Sequence, residues 1–315
     1  MLARLMRRAL SLGLVLAALA LGACEGDDEP TESSVDACSN GRDDDRDGLI
    51  DCADPACRAY VFCLQSDAGA DAGPVDAGAR PDGAVCSRPI DVVLTVDVSS
   101  SMAAELASLR DLAVPLVDRV RALDETARVS LVVFIDDALA VAECAPRTGA
   151  ELAQELESWR VRAPDDRSPV SGTLNQDCAE NSLDALALAA GGCAWREGAA
   201  HLVVHVTDDT FAERPTVLSG PFGGGIVVQS TYAEALDALV AEAAQVITVT
   251  RQGQGESCGA GRSPDVGQGF HTPYQGMVAI PERTGGVALS LPELTAGTLD
   301  LAAVVAERAE LACTR

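Results

Sequence analysis

From Cys86 onward the hydrophobic positions follow two alternating rhythms. Unbroken apolar runs, rich in β-branched residues, occur at 90–97 ("IDVVLTVD"), 128–135, 138–143, 201–207, 245–250 and 287–291. Between them the apolar residues recur at helical spacing. Met102, Leu106, Leu109, Leu116, Val120 and Leu123 stand at steps of three or four or their multiples, and 149–159, 179–190, 231–244 and 298–311 repeat the pattern. Continuous apolar strands separated by amphipathic helices predict a six-stranded, mostly parallel sheet with helices on both faces, a doubly wound α/β domain over 86–315. The short link between the second and third runs predicts an antiparallel hairpin at one edge. Ligands of such sheets gather beyond the carboxyl ends of the strands, where the strand order reverses.

The first 85 residues have neither rhythm. Residues 1–23 place Arg4, Arg7 and Arg8 before an apolar stretch ending in small residues, the pattern of an export signal. "LGAC" at 21–24 resembles a bacterial lipobox, which makes Cys24 the lipidated first residue of an exported protein. Glu25 follows it, which leans toward the outer membrane or cell surface. A flexible N-terminus (24–37), a Cys-rich acidic segment (38–63) and an Asp-Ala-Gly spacer (64–85) then lead to the α/β domain.

Composition narrows the chemistry. The chain is 48% hydrophobic but only 3% aromatic, so the core must be built from Val, Leu, Ile and Ala. A net charge of −25, with every basic residue an Arg, argues against phosphate backbones and favours divalent cations. With Cys24 lipidated, ten cysteines remain, and export makes disulfides the expectation. Cys86 and Cys313 bracket the α/β domain and are expected to pair.

Two clusters carry candidate metal chemistry. In "CSNGRDDDRDGLIDCADPAC", Asp43, Asp45, Asp47, Asp51 and Asp54 fall at positions 1, 3, 5, 9 and 12 of a calcium loop. Gly48 takes the sharp turn at position 6, and Leu49 offers its carbonyl at position 7. Flanking helices are absent, so the segment resembles the cysteine-stapled calcium loops of thrombospondin type 3 repeats. The second cluster is "DVSSS". Asp97, Ser99 and Ser101 stand where the first strand leaves the sheet, and Asp208 follows the fourth. Oxygen donors without His or Cys suit Mg²⁺, Mn²⁺ or Ca²⁺. The competing reading makes the serines helix N-caps.

"DVSSS" followed by Met102 resembles the metal-ion-dependent adhesion site of von Willebrand factor A domains, and most closely the I-like domain of integrin beta subunits. The resemblance covers 88–315. It implies a central Mg²⁺ or Mn²⁺ site of Asp97, Ser99, Ser101, Glu180 and Asp208, and a second site, for Ca²⁺, of Asp136, Asn175, Asp177 and Glu180. A third, adjacent site would use Glu105, but Ala104 replaces the first acid of the family's pair. Cys178 and Ala179 stand where the family has a proline, and Thr173 offers an alternative register. The implied function is non-catalytic, metal-dependent adhesion to an acidic side chain of a partner protein. The rivals are a scaffold with a vestigial site and a metal-dependent hydrolase. His201 and His205 are four apart but sit in a strand-like run, so they read as structural, and 251–277 reads as a long surface loop.

Overall fold

The computed structural model describes residues 42, 43, 46, 49, 50 and 86–314, apart from 177, 220–224 and 254–264. Cys24, Asp45, Asp47, Asp51, Asp54, Asp177 and Cys258 lie outside the described residues, as do the signal and the spacer. No helix among the described residues is long and apolar enough to cross a membrane.

The strands are β1 (Ile90–Asp97), β2 (Arg128–Phe134), β3 (Ala138–Ala140), β4 (Ala200–Val206), β5 (Val217–Leu218), β6 (Ile226–Val227), β7 (Gln245–Thr250) and β8 (Val287–Ser290). Six of them form one sheet in the order β3-β2-β1-β4-β7-β8, and β5 and β6 pair separately. Every pairing in the large sheet is parallel except β2 with β3, the predicted edge hairpin. The helices are α1 (Ala103–Leu123), α2 (Gly149–Arg162), α3 (Ser182–Gly192), α4 (Tyr232–Ala241), α5 (Ile280–Arg283), α6 (Leu291–Thr295) and α7 (Leu301–Cys313).

β1 is buried along its whole length, so both of its faces must pack. Ile90, Val92, Leu94 and Val96 join the layer built with α1, α2 and α7, where Leu106, Leu156 and Val305 are fully buried. Val93 points into the opposite layer, with Leu183 and Leu186 of α3 and Leu239 of α4. By the period of two, Asp91, Thr95 and Asp97 belong to that second face. Its polar groups are therefore satisfied one by one. Asp91, at the foot of the strand, accepts from Arg196 Nε and from the Arg196 backbone N–H, both at 2.8 Å. Thr95 Oγ1 lies 2.8 Å from His205 Nδ1. His205 is stacked between Phe134 and Phe270, and burial pushes its imidazole down to about 3. It is a neutral core residue, and His201 stacks on Trp195, so neither histidine of "HLVVH" sits as a metal pair would.

Helix starts are written locally. Thr148 with Glu151 and Thr231 with Glu234 form complete capping boxes ahead of α2 and α4. Asn181 caps α3 through the Asp184 backbone N–H. Cys86 and Cys313 are joined as expected, tying the start of the domain to the end of α7. A second disulfide links Cys144 to Cys193.

Two expectations need correction. The third strand spans Ala138–Ala140 rather than 138–143, because Ala142, Glu143 and Cys144 all adopt left-handed φ values of 47–58°. That turn carries Cys144 to Cys193 and lets its carbonyl accept from the Ser130 hydroxyl at 2.7 Å. The segment 251–277 is not wholly a surface loop. Phe270 is completely buried against His205 and Phe211, and the Tyr232 hydroxyl donates to the Gly269 carbonyl oxygen at 3.0 Å.

Gly286, just before β8, lies flat against the Val246 backbone, and a Cβ there would collide with the Val246 carbonyl oxygen. Gly286→Ala must push β8 away from β7. A loss of about 2 kcal/mol or more is expected, read as a lowered denaturant midpoint with an unchanged slope.

Candidate metal centre

The sheet order places β1 between β2 and β4, so the crossover direction reverses at the gap between the carboxyl ends of β1 and β4. Asp97 is the last residue of β1, and Thr207 and Asp208 directly follow β4. Their side chains meet there: the Thr207 hydroxyl donates to Asp97 Oδ2 at 2.7 Å. Asp97 Oδ1 accepts from the backbone N–H of Ser99 at 2.9 Å, which folds the chain over its own carboxylate.

The serines do not cap a helix. Ser99 leads into a single 3-10 turn (Ser100–Met102) without making a side-chain cap bond, and the cap position of α1 is Met102. Ser99 Oγ instead lies 3.1 Å from Ser101 Oγ, and the Ser101 hydroxyl donates to Asp208 Oδ1 at 3.0 Å. Both hydroxyls thus face the carboxylates. The N-cap alternative accounts for neither.

Glu180 reaches the same place from a different direction. It immediately precedes the α3 cap, and its backbone is bridged to the segment after β4. Its N–H donates to the Thr210 carbonyl oxygen and its own carbonyl accepts from Ala212, both at 2.8 Å. The side chain is 2% exposed. Oε1 accepts from Asn175 Nδ2 at 3.0 Å, while Oε2 is buried with no hydrogen-bond partner among the described residues.

Burial and mutual repulsion dominate the electrostatics. Desolvation, then the nearby Asp208 charge, pushes Asp97 up to about 8. Glu180 is raised well above the usual carboxylate range by burial, then by Asp97, Asp136 and Asp209. Asp208 is raised by burial, though the Ser101 hydroxyl and the Arg251 guanidinium pull it back. Carboxylates packed this way hold their charge poorly unless a cation joins them.

Of the second predicted set, Asp136 is fully buried and close enough to Glu180 to repel it, and Asn175 is bonded to Glu180. The hydroxyl of Ser168 donates to Asp136 Oδ2 at 3.3 Å, and that of Ser219 makes a short bond to the same oxygen. Glu105 is 5% exposed; its Oε1 accepts from the Thr295 hydroxyl at 3.2 Å, and Oε2 has no hydrogen-bond partner among the described residues. The threonine hydroxyl bonded to Asp97 is that of Thr207. Among the described residues, no group of three or more His, Cys, Asp and Glu side chains is drawn together tightly enough to hold an ion by itself. Asp97 and Asp208 are hydrogen-bonded to the hydroxyls of Thr207 and Ser101, and Glu180 to the Asn175 amide, so the donor set is mixed. That set is hard oxygen throughout, and the orphaned Glu180 Oε2 within it fits a divalent cation. In the acidic N-terminal segment, Asp43 and Leu49 are the described members of the calcium-loop set.

Sequence reasoning missed Thr207 as an Asp97 partner, and missed Ser168, Ser219 and Arg251. Thr207 had a signal, since a strand that ends in Thr-Asp beside another ending in Asp brings the hydroxyl to that carboxylate. The others come from loops without a periodic pattern.

No family model matches the chain. Among solved structures it is similar to an aerotolerance-related membrane protein from Bacteroides fragilis NCTC 9343 with multiple mutations to serines (17% identity, 69% of this chain, 99% of that one, TM-score 0.44). It is also similar to the conserved hypothetical protein BatB from Bacteroides thetaiotaomicron (16% identity, 70% and 99%, TM-score 0.42). A third similarity is to proximal thread matrix protein 1 from the mussel byssus (15% identity, 71% of this chain, TM-score 0.42), and the chain spans 48% of its length. None of these similarities assigns a site residue.

If the carboxylates repel one another as the geometry requires, neutralising one relieves the fold when no ion is present. In EDTA at pH 9, Glu180→Gln is expected to raise the unfolding temperature by roughly 3–6 °C. In millimolar Mg²⁺ the order should invert, with wild type the more stable. A lower melting temperature under both conditions would show that no such repulsion exists.

Proposed function

We propose that the domain is a divalent-metal-dependent protein-binding module, displayed by an exported lipoprotein and selective for an acidic side chain on its partner. The observation that carries this reading is the arrangement of Ser99 and Ser101: Ser99 makes no side-chain cap bond and its hydroxyl lies against that of Ser101, which donates to Asp208. Asp97, Ser99, Ser101, Asp208 and Glu180 would hold a Mg²⁺ or Mn²⁺ ion. Asp136 and Asn175, with Asp177, would hold a Ca²⁺ ion beside it. A bound ion would supply a positive centre, otherwise scarce on so acidic a chain, for a partner's carboxylate to join.

The chain's own residues do the positioning. Thr207 and the Ser99 backbone fix the Asp97 carboxylate from two sides. Asn175 orients Glu180 and leaves its second oxygen for the ion. We read the site as non-catalytic. The nearest histidine in sequence, His205, is walled into the core with its base properties suppressed, so it supplies no general base. In the same reading, Cys24 carries the lipid, the acidic segment binds Ca²⁺ as a structural staple, and the Asp-Ala-Gly spacer holds the domain clear of the envelope.

Thermal unfolding of the whole chain in EDTA, and then in Mg²⁺, Mn²⁺ or Ca²⁺, tests the metal step. An ion that binds only the folded state adds about 2.7 kcal/mol at a hundredfold excess over its dissociation constant. In Mg²⁺ or Mn²⁺ we expect a rise of several degrees that Asp97→Ala largely removes, whereas in Ca²⁺ the flanking site and the acidic segment leave part of the rise in place. A Mg²⁺ or Mn²⁺ shift that persists in full in Asp97→Ala would place the ion elsewhere and leave the adhesion reading without its mechanism.

A further inference from the structure

Arg251 is the residue that neither the fold nor the proposed function explains. It directly follows β7, the strand beside β4, so the sheet fixes its backbone next to the site. Its Nη2 lies 3.5 Å from Asp208 Oδ2, while Asp208 Oδ1 takes the Ser101 hydroxyl. An ion drawing on Asp208 therefore meets a cation already in attendance. The contact is long for an engaged guanidinium–carboxylate pair, which closes to about 2.7–2.9 Å, and the Arg251 side chain remains 35% exposed. It is a loose contact that can be broken.

Beside it lies an open cavity of about 450 Å³, lined by Arg251, Glu105, Pro292, Thr295 and Ala296. Glu105 is 5% exposed, and its Oε2 has no hydrogen-bond partner among the described residues. A buried carboxylate oxygen left bare is costly, and a guanidinium is the group best shaped to satisfy it. The cavity thus offers room for the arginine side chain and an anion for it to meet.

We propose that Arg251 is a tethered cation with two stations, resting on Asp208 when no divalent ion is held and moving into the cavity against Glu105 when one is. This rests on the metal reading of the central site and adds a device to it. Metal entry is opposed by Arg251 and assisted by Glu105, so affinity is set by a competition built into the chain.

The test is Mn²⁺ binding to the whole chain by calorimetry, with the Asp97-dependent component isolated by subtracting the Asp97→Ala variant. Arg251→Gln should bind Mn²⁺ roughly five- to tenfold more tightly, since no ion pair has to be broken. Glu105→Gln keeps the acceptor for Thr295 and should weaken binding several-fold, but only while Arg251 is present. In an Arg251→Gln background its effect should nearly vanish. Binding unchanged or weaker in Arg251→Gln, or a Glu105→Gln penalty equal in both backgrounds, overturns the proposal. Binding gained by Arg251→Gln where wild type shows none supports it. Loss of Asp97-dependent binding in every variant removes the metal reading itself, and this proposal with it.

Discussion

The repulsion among Asp97, Asp208 and Glu180, buried together where β1 and β4 leave the sheet, is what the rest of this end of the molecule has to accommodate. A fully buried strand can end in a carboxylate only if something pays its desolvation, and here the compensation comes in pieces. Thr207 and the Ser99 backbone hold Asp97, Ser101 and Arg251 hold Asp208, and Asn175 holds one oxygen of Glu180. These partners lower the cost without removing it: Asp97 still sits near 8 and Glu180 well above its ordinary range. That unmet need for positive charge is what the proposed cation would answer.

The remainder of the fold serves to keep that need in place. Six apolar strands fix the β1–β4 gap to within the tolerance of a packed sheet. The Asp91–Arg196 network closes the opposite end of β1. The backbone bridge from Glu180 to the segment after β4 brings in a carboxylate that is remote in sequence from both strands. The proposed partner-binding role and the two-station arginine both follow from one rigid frame holding anions together.

Much of this was legible in the chain. Strands β1 and β7 begin and end where the apolar runs do, because buried parallel strands need an uninterrupted apolar sequence. The edge hairpin followed from its short link, and the Cys86–Cys313 bridge from the closeness of domain termini. The third strand was overestimated, because "ALAVAE" carries no mark of the left-handed turn that Cys144 imposes on it. In the site, Asp97, Ser99, Ser101 and Asp208 could be placed from strand ends alone. The ordering of the acidic neighbours could not. Arg251 and Ser219 act across the sheet from positions whose local sequence has no period, and Phe270 enters the core from a Gly-rich segment that reads as loop.

Anomalous diffraction from crystals grown with Mn²⁺ tests the central claim most directly. The account predicts a manganese peak bounded by Asp97, Ser99, Ser101, Asp208 and Glu180, and no such peak in the Asp97→Ala protein. Manganese found only at other carboxylates, with Ser101 still bonded to Asp208 and Arg251 still beside it, would contradict it.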